Sequence, residues 1–175
     1  AQVPGDGRNF FATGISLIIH PRNPHVPTVH ANFRYIAKGE GEGAREWFGG
    51  GADLTPWILY EEDAVHFHQT WSSVCARHSI ADFKKMKEWC DTYFYFPHRE
   101  ETRGVGGIFY DYLSLGDHPK GTPGSIEEAE GFAFDASKTF LDSYLPIVER
   151  RKDHSWTEEE REWQLVRRGR YVEFN

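Results

Sequence analysis

The sequence predicts an α+β domain built on an antiparallel sheet, and three observations predict it. Hairpin-like strands open the chain, helices with clear capping signals follow, and a glycine-led strand lies between those helices. With 175 residues, 39% of them apolar and 15% aromatic, the chain has the length of one domain and the composition of a folded one.

Ala1 to Arg8 is rich in glycine, proline and polar residues and is expected to be irregular. Gly14 to His20, rich in Ile and Leu, reads as the first strand. Pro21, Pro24 and Pro27 stiffen the connector that follows, since each fixes φ and withholds a ladder donor. Thr28 to Ala37 alternates clearly enough to be a second strand, Gly39, Gly41 and Gly43 make a turn, and Arg45 to Gly49 returns as the partner of a hairpin. Gly49-Gly50-Gly51 leads through Asp53 to Thr55-Pro56. These glycines suit either a strand-end bulge or a backbone that approaches a ligand closely.

Glu61 to His78 carries Ala64, Phe67, Trp71, Val74 and Cys75 at helical spacing. Asp82 is a good N-cap for a second helix with Phe83, Met86, Cys90, Tyr93 and Phe94 as its stripe. Gly104 to Leu113 reads as a strand and Pro119 to Gly124 as a loop. Ser125 with Glu128 forms a capping box for a helix running toward Tyr144, ended or kinked near Pro146. Thr157 with Glu160 repeats the device for a last helix closed by Gly169, after which Arg170 to Asn175 resumes strand character.

Twenty basic against 27 acidic residues give a formal net charge of −7, which argues against a nucleic-acid or anionic-membrane partner. The longest apolar runs, such as Ile15 to Ile19, are far below the roughly 20 residues of a membrane-spanning helix. Cys75 and Cys90 fall on apolar helical stripes, which suits small buried hydrophobes in a reducing compartment. No basic-then-apolar signal opens the chain. It begins at Ala1 and stops inside a strand pattern, so residues 1–175 are expected to be a single domain, incomplete at both ends.

The second strand is the most informative segment. Period two sets Val29, Ala31, Phe33 and Tyr35 on one face and His30, Asn32 and Arg34 on the other. The first strand likewise groups Ser16, Ile18 and His20. Histidine and asparagine are poor choices for merely wetting a strand, and a covered face that carries them needs a ligand or partners. Arg34 beside His30 and Asn32 suits a carboxylated ligand, because the guanidinium fork matches a carboxylate. Arg22, Arg99, Arg103, Arg167, Arg168 and Arg170 lie near the same segments, the last three also suiting a helix C-terminus.

Nine histidines is a high count. His66 and His68 on a helix diverge by about 200°, wrong for two ligands of one metal. His68 reads instead as a core histidine donating to a backbone carbonyl, whereas His25, His78, His118 and His154 are expected at the surface. No phosphate loop, dinucleotide fingerprint or nucleophile elbow is present.

Six stretches together resemble one family. They are Ser16-x-x-x-His20-Pro-x-Asn-Pro-x-x-Pro-Thr-x-His30-x-Asn32-x-Arg34, Trp47-Phe-Gly-Gly-Gly-x-Asp53-Leu-Thr-Pro56, Glu62-Asp-Ala-x-His66-x-His68, Lys87-x-Trp-Cys-Asp91, Arg103-Gly-x-Gly-Gly-x-Phe109 and Arg167-Arg-Gly-Arg-Tyr-Val-Glu-Phe-Asn175. Their order and content resemble oxygen-dependent coproporphyrinogen III oxidase from about Ala12 to the last residue, least in the loop from Ser114 to Gly124. The resemblance implies a large flat antiparallel sheet covered by helices on both faces, and a homodimer. It implies oxidative decarboxylation of two propionates of coproporphyrinogen III to vinyl groups, with O2 as co-substrate and no organic cofactor. By the same resemblance His30 is the proton donor, Asp53 holds or deprotonates a pyrrole nitrogen, and Ser16, Asn32, Phe33 and Arg34 contact substrate. A divalent ion, if bound, would use His20, His30, His68 and His98, and is not expected to be essential. Two other classes compete: an iron oxygenase using His20, His30 and Asp53, and a non-catalytic tetrapyrrole binder. Cytoplasm is the expected location, with the mitochondrial intermembrane space as the alternative.

Overall fold

A computed structural model describes residues 4–174. Its strands are β1 (Phe10–Ile19), β2 (Thr28–Lys38), β3 (Arg45–Thr55), β4 (Tyr95–Phe96), β5 (Glu101–Thr102), β6 (Gly106–Ser114) and β7 (Thr122–Pro123). Its helices are α1 (Glu61–Cys75), α2 (Phe83–Tyr93), α3 (Ile126–Arg151) and α4 (Glu158–Tyr171). The main sheet runs β1-β2-β3-β6-β7, antiparallel except for the short parallel step from β6 to β7, and β4 pairs with β5 in a separate ribbon.

Alternation along β2 sorts the sheet into two unlike faces. Val29 and Ala31, with Ala52, Leu54, Ile108 and Tyr110 of the neighbouring strands, form the apolar face. Against it pack Phe67, Trp71 and Val74 of α1 and Phe132, Ala136 and Phe140 of α3, in one continuous core. Fully burying each of the valine and phenylalanine side chains among them contributes about 1.5–3 kcal/mol. Among the described residues, the opposite face is covered around Phe109, by Trp89, Cys90 and Tyr93 of α2 with Phe94 and Phe174, and at Tyr171, the end of α4. β1 lies beyond the helices, with Ile15 59% and Ile19 41% exposed.

The caps form as the sequence indicates. Asp82 accepts from the Lys85 N–H, and both capping boxes, Ser125–Glu128 and Thr157–Glu160, are complete. Three segments differ from the sequence reading. β3 runs on through the glycines to Thr55, paired with β2 on one side and with β6 on the other, with a bulge-like register shift against β6 between Phe48 and Gly50. There is no room at these glycines for side chains. A Cβ on Gly49 would lie 2.5 Å from Asp111 Oδ1, and one on Gly50 would lie 2.3 Å from the Asn32 carbonyl. α3 passes through Pro146 to Arg151. The missing N–H frees the Asp142 carbonyl four residues back, and His66 Nε2 donates to it at 3.0 Å. α4 continues past Gly169, and residues 170–174 are helical and not a strand, whereas Asn175 and Ala1 to Val3 lie outside the described residues. Burying Tyr171, 4% exposed, outweighs the roughly 1 kcal/mol that an internal glycine costs.

His25 is also not at the surface. It is buried, with Nδ1 2.8 Å from the Tyr60 hydroxyl and Nε2 3.0 Å from the Ser155 carbonyl, tying the proline-rich connector to the start of α4.

Candidate active site

The strand register assembles the polar face in rows. Ile18, His30, Asp53 and Gly107 stand opposite one another across β1, β2, β3 and β6, and the next row is Ser16, Asn32, Gly51 and Phe109. A third row holds Gly14, Arg34 and Gly49. Gly49 and Gly51 of β3 and Gly107 of β6 carry no side chain at their places in these rows. A cavity of about 260 Å³ opens above these rows, lined by Ser16, His30, Asn32, Arg34, Asp53 and Arg103 and walled by Phe94, Phe109 and Phe174.

At its base three charged or polar groups are joined in a chain. Asp53, 2% exposed, receives Arg103 Nη2 on both oxygens, at 2.9 and 2.8 Å. His30 Nδ1 lies 2.7 Å from Asp53 Oδ1. Arg103 is 5% exposed and stacks over the Phe94 ring at 3.7 Å, which stabilises a guanidinium largely stripped of water. Its Nε has no partner among the described residues. An ionised carboxylate held by a guanidinium has only acceptor atoms, so its place beside Nδ1 suits donation from a ring N–H at that nitrogen.

Arg34 is the second cationic element. Nη1 donates to Asn32 Oδ1 at 2.9 Å and Nη2 to Asp111 Oδ2 at 2.7 Å, leaving further donors for a ligand. Asp111 is fixed in turn by the Trp47 Nε1–H at 3.1 Å and the Tyr112 N–H at 3.0 Å. Tyr112 and Ser114 take φ of 55° and 86°, so the backbone beyond Asp111 is strained where it supports this pair.

The expected site residues divide cleanly. His30, Asp53, Ser16, Asn32 and Arg34 come together at the cavity. Phe33 does not: its side chain packs against the core on the opposite face, as strand alternation requires. The histidines do not converge. His20 bonds Thr28 Oγ1 at 3.0 Å, His68 Nε2 donates to the Val105 carbonyl at 3.0 Å, and His98 meets Glu173 at 2.7 Å on the surface. Nor do His20, His30 and Asp53 make a facial triad, because among the described residues no three His, Cys, Asp or Glu groups are disposed to hold an ion. Burial holds the pKa of both His20 and His68 below the usual histidine value, with Arg168 and Lys87 respectively adding to it. Burial likewise pushes Tyr171, beside Arg103, up to about 12.

Sequence reasoning counted Arg103 among the nearby arginines and missed its partnership with Asp53; it missed Asp111 altogether. The alternation of β6 carried a signal for Asp111, since Phe109 and Asp111 fall two residues apart on one strand.

Comparison with known proteins bears on this arrangement. The family described as coproporphyrinogen III oxidase matches residues 2–175. The chain is similar to a protein named oxygen-dependent coproporphyrinogen-III oxidase in Francisella tularensis subsp. mediasiatica, 49% identical over 170 residues, 97% of this chain and 53% of that protein. A protein of the same name in Francisella philomiragia subsp. philomiragia is 48% identical over the same span and shares. The chain therefore spans about half the length of the curated relatives it matches.

Proposed function

The chain belongs to the coproporphyrinogen III oxidase family, and on that premise we propose that it carries the catalytic face of an oxygen-dependent enzyme. Coproporphyrinogen III is the substrate, and two of its propionates become vinyl groups to give protoporphyrinogen IX. Each propionate loses CO2 and a hydrogen from the carbon next to the ring, with O2 as electron acceptor. The reduced tetrapyrrole is electron-rich enough to react with O2, so no organic cofactor is invoked.

The observation that carries this reading is the hydrogen-bonded chain from Arg103 through Asp53 to His30 at the base of a cavity that also contains Arg34. Arg34 offers donors to a propionate carboxylate, with Asn32 and Ser16 beside it. His30 exchanges protons with the substrate, a task suited to imidazole near neutral pH. Asp53, the residue matched to pyrrole binding, acts chiefly on His30, because its oxygens are already engaged and it is nearly inaccessible.

The working protein is a homodimer in the cytoplasm. The exposed apolar side chains of β1 and the bacterial relatives support this, and no described helix is long and apolar enough to cross a membrane. The test uses full-length protein treated extensively with EDTA and supplied with coproporphyrinogen III in air and under argon, followed by protoporphyrin after chemical oxidation. Turnover in air alone is expected, and His30→Ala is expected to abolish it. Turnover restored only by a divalent metal would make this a metal-dependent oxygenase, and binding without turnover under any condition would leave a tetrapyrrole binder.

A further inference from the structure

We propose that Arg103 is a positioning residue whose charge, acting through Asp53, keeps the His30 proton on Nδ1 and Nε2 bare toward the cavity, so that His30 first meets the substrate as a proton acceptor. The inference rests on reading this cavity as the active site.

The geometry is asymmetric in an informative way. Arg103 approaches Asp53 end-on, one nitrogen serving both oxygens, which leaves room on Oδ1 for His30 Nδ1 at 2.7 Å. The guanidinium is held there by three rings, with centroids at 3.7 Å for Phe94, 4.5 Å for Tyr171 and 5.0 Å for Phe174. Its backbone N–H is anchored to the Phe94 carbonyl at 3.0 Å. His30 Nε2 has no hydrogen-bond partner among the described residues, and the side chain is 19% exposed, so this nitrogen is the one a ligand meets.

Removing the charge removes the reason for that arrangement. A carboxylate 2% exposed does not stay an unpaired anion. It is neutralised by one of two routes. Asp53 is protonated and its O–H donates to Nδ1, driving the ring proton to Nε2, or the ring itself becomes an imidazolium. Nε2 carries a hydrogen in both cases and no longer accepts one. With Arg103 present, Nε2 takes a proton the substrate gives up: the substrate's bond to hydrogen breaks, an N–H bond forms, and the imidazolium rests against the Asp53 anion. That imidazolium is then the donor for a later step, which reconciles an initial acceptor with the donor role the resemblance implies.

Full-length protein labelled with 15N-histidine tests this by long-range proton–nitrogen correlation, with His30→Gln identifying the His30 signals. The expected wild-type pattern on the neutral ring is a protonated Nδ1 and a bare Nε2. Arg103→Lys is expected to keep that pattern and most of the turnover, since a cation remains. Arg103→Gln keeps a donor without charge and is expected to protonate Nε2 and lower kcat about a hundredfold with KM little changed. A purely structural Arg103 would lower stability and leave the nitrogen pattern alone. A wild-type ring protonated on Nε2 overturns the proposal, as does an Arg103→Gln variant that matches wild type. If that variant fails to fold, a lysine variant protonated on Nε2 overturns it equally. The expected nitrogen pattern in a protein without turnover would sink the oxidase reading and leave this assignment standing.

Discussion

Two buried arginine–aspartate pairs in this molecule do different work with the same chemistry. Arg103–Asp53 sits under the polar face, and Arg151–Asp63 joins the end of α3 to the start of α1. Both arginines lie over an aromatic ring, Phe94 at 3.7 Å and Tyr60 at 3.6 Å. Arg151 uses its fork, with Nε on Asp63 Oδ2 at 2.8 Å and Nη2 on Oδ1 at 3.2 Å, and also reaches Glu62. Arg103 uses one nitrogen, leaves Nε unpartnered, and shares its carboxylate with a histidine. Asp63 Oδ1 also takes Arg150 at 3.3 Å, so that carboxylate meets cations only and the cluster is a brace. Asp53 gives its second contact to His30, a group that can exchange protons, and that separates a site from a strut.

The largest effect should come from breaking the brace. Arg151→Met leaves Asp63 buried without its principal counter-charge and is expected to lower unfolding stability by about 3–5 kcal/mol in urea titrations, with kcat per folded molecule unchanged. An equal loss of kcat would mean the two pairs are not functionally distinct. Asp53→Asn is the matching lesion at the site. It should lower kcat of the folded fraction by about 10²–10³, some 3–4 kcal/mol in the barrier, because the amide no longer fixes the His30 proton on Nδ1. Steady-state turnover with a parallel circular-dichroism melt separates this from simple unfolding.

A smaller effect sharpens the contrast between Arg103 and Arg34. Arg34→Lys keeps a charge but loses the fork that serves Asn32, Asp111 and a carboxylate together, so KM is expected to rise about tenfold with little change in kcat. A change in kcat alone would move Arg34 from binding into chemistry. The smallest effect is on pH dependence. Burial lowers the pKa of His20 and His68 in the folded state, so below about pH 6.5 the unfolded chain binds their protons first. Stability from these groups is therefore complete above that pH and declines as pH falls through it. His68→Gln should flatten the decline in urea midpoints measured between pH 7 and 5.5, and an unchanged slope would show that His68 contributes nothing to it.

Much of this was legible because it depends on local rules. Alternation in β2 identified the face carrying His30, Asn32 and Arg34, and the side-chain caps at Asp82, Ser125 and Thr157 set three helix starts. Stops were harder to read. Pro146 and Gly169 are helix breakers by propensity, but His66 satisfies the carbonyl freed by one and the burial of Tyr171 overrides the other. Both compensations come from residues distant in sequence or from packing.

The sequence by itself determined the α+β class, the two faces of the sheet and the residues that resemble the oxidase family, since period, capping chemistry and motif order are local. Only the tertiary structure decided which charges meet. Arg103 reaches Asp53 across 50 residues and Asp111 reaches Arg34 across 77, while His20, His68 and His98 each find separate partners. Side-chain type states what a group can bond. Strand register and the packing of α2, α4 and the β4–β5 ribbon bring its partner within about three ångströms, the distance at which a hydrogen bond forms.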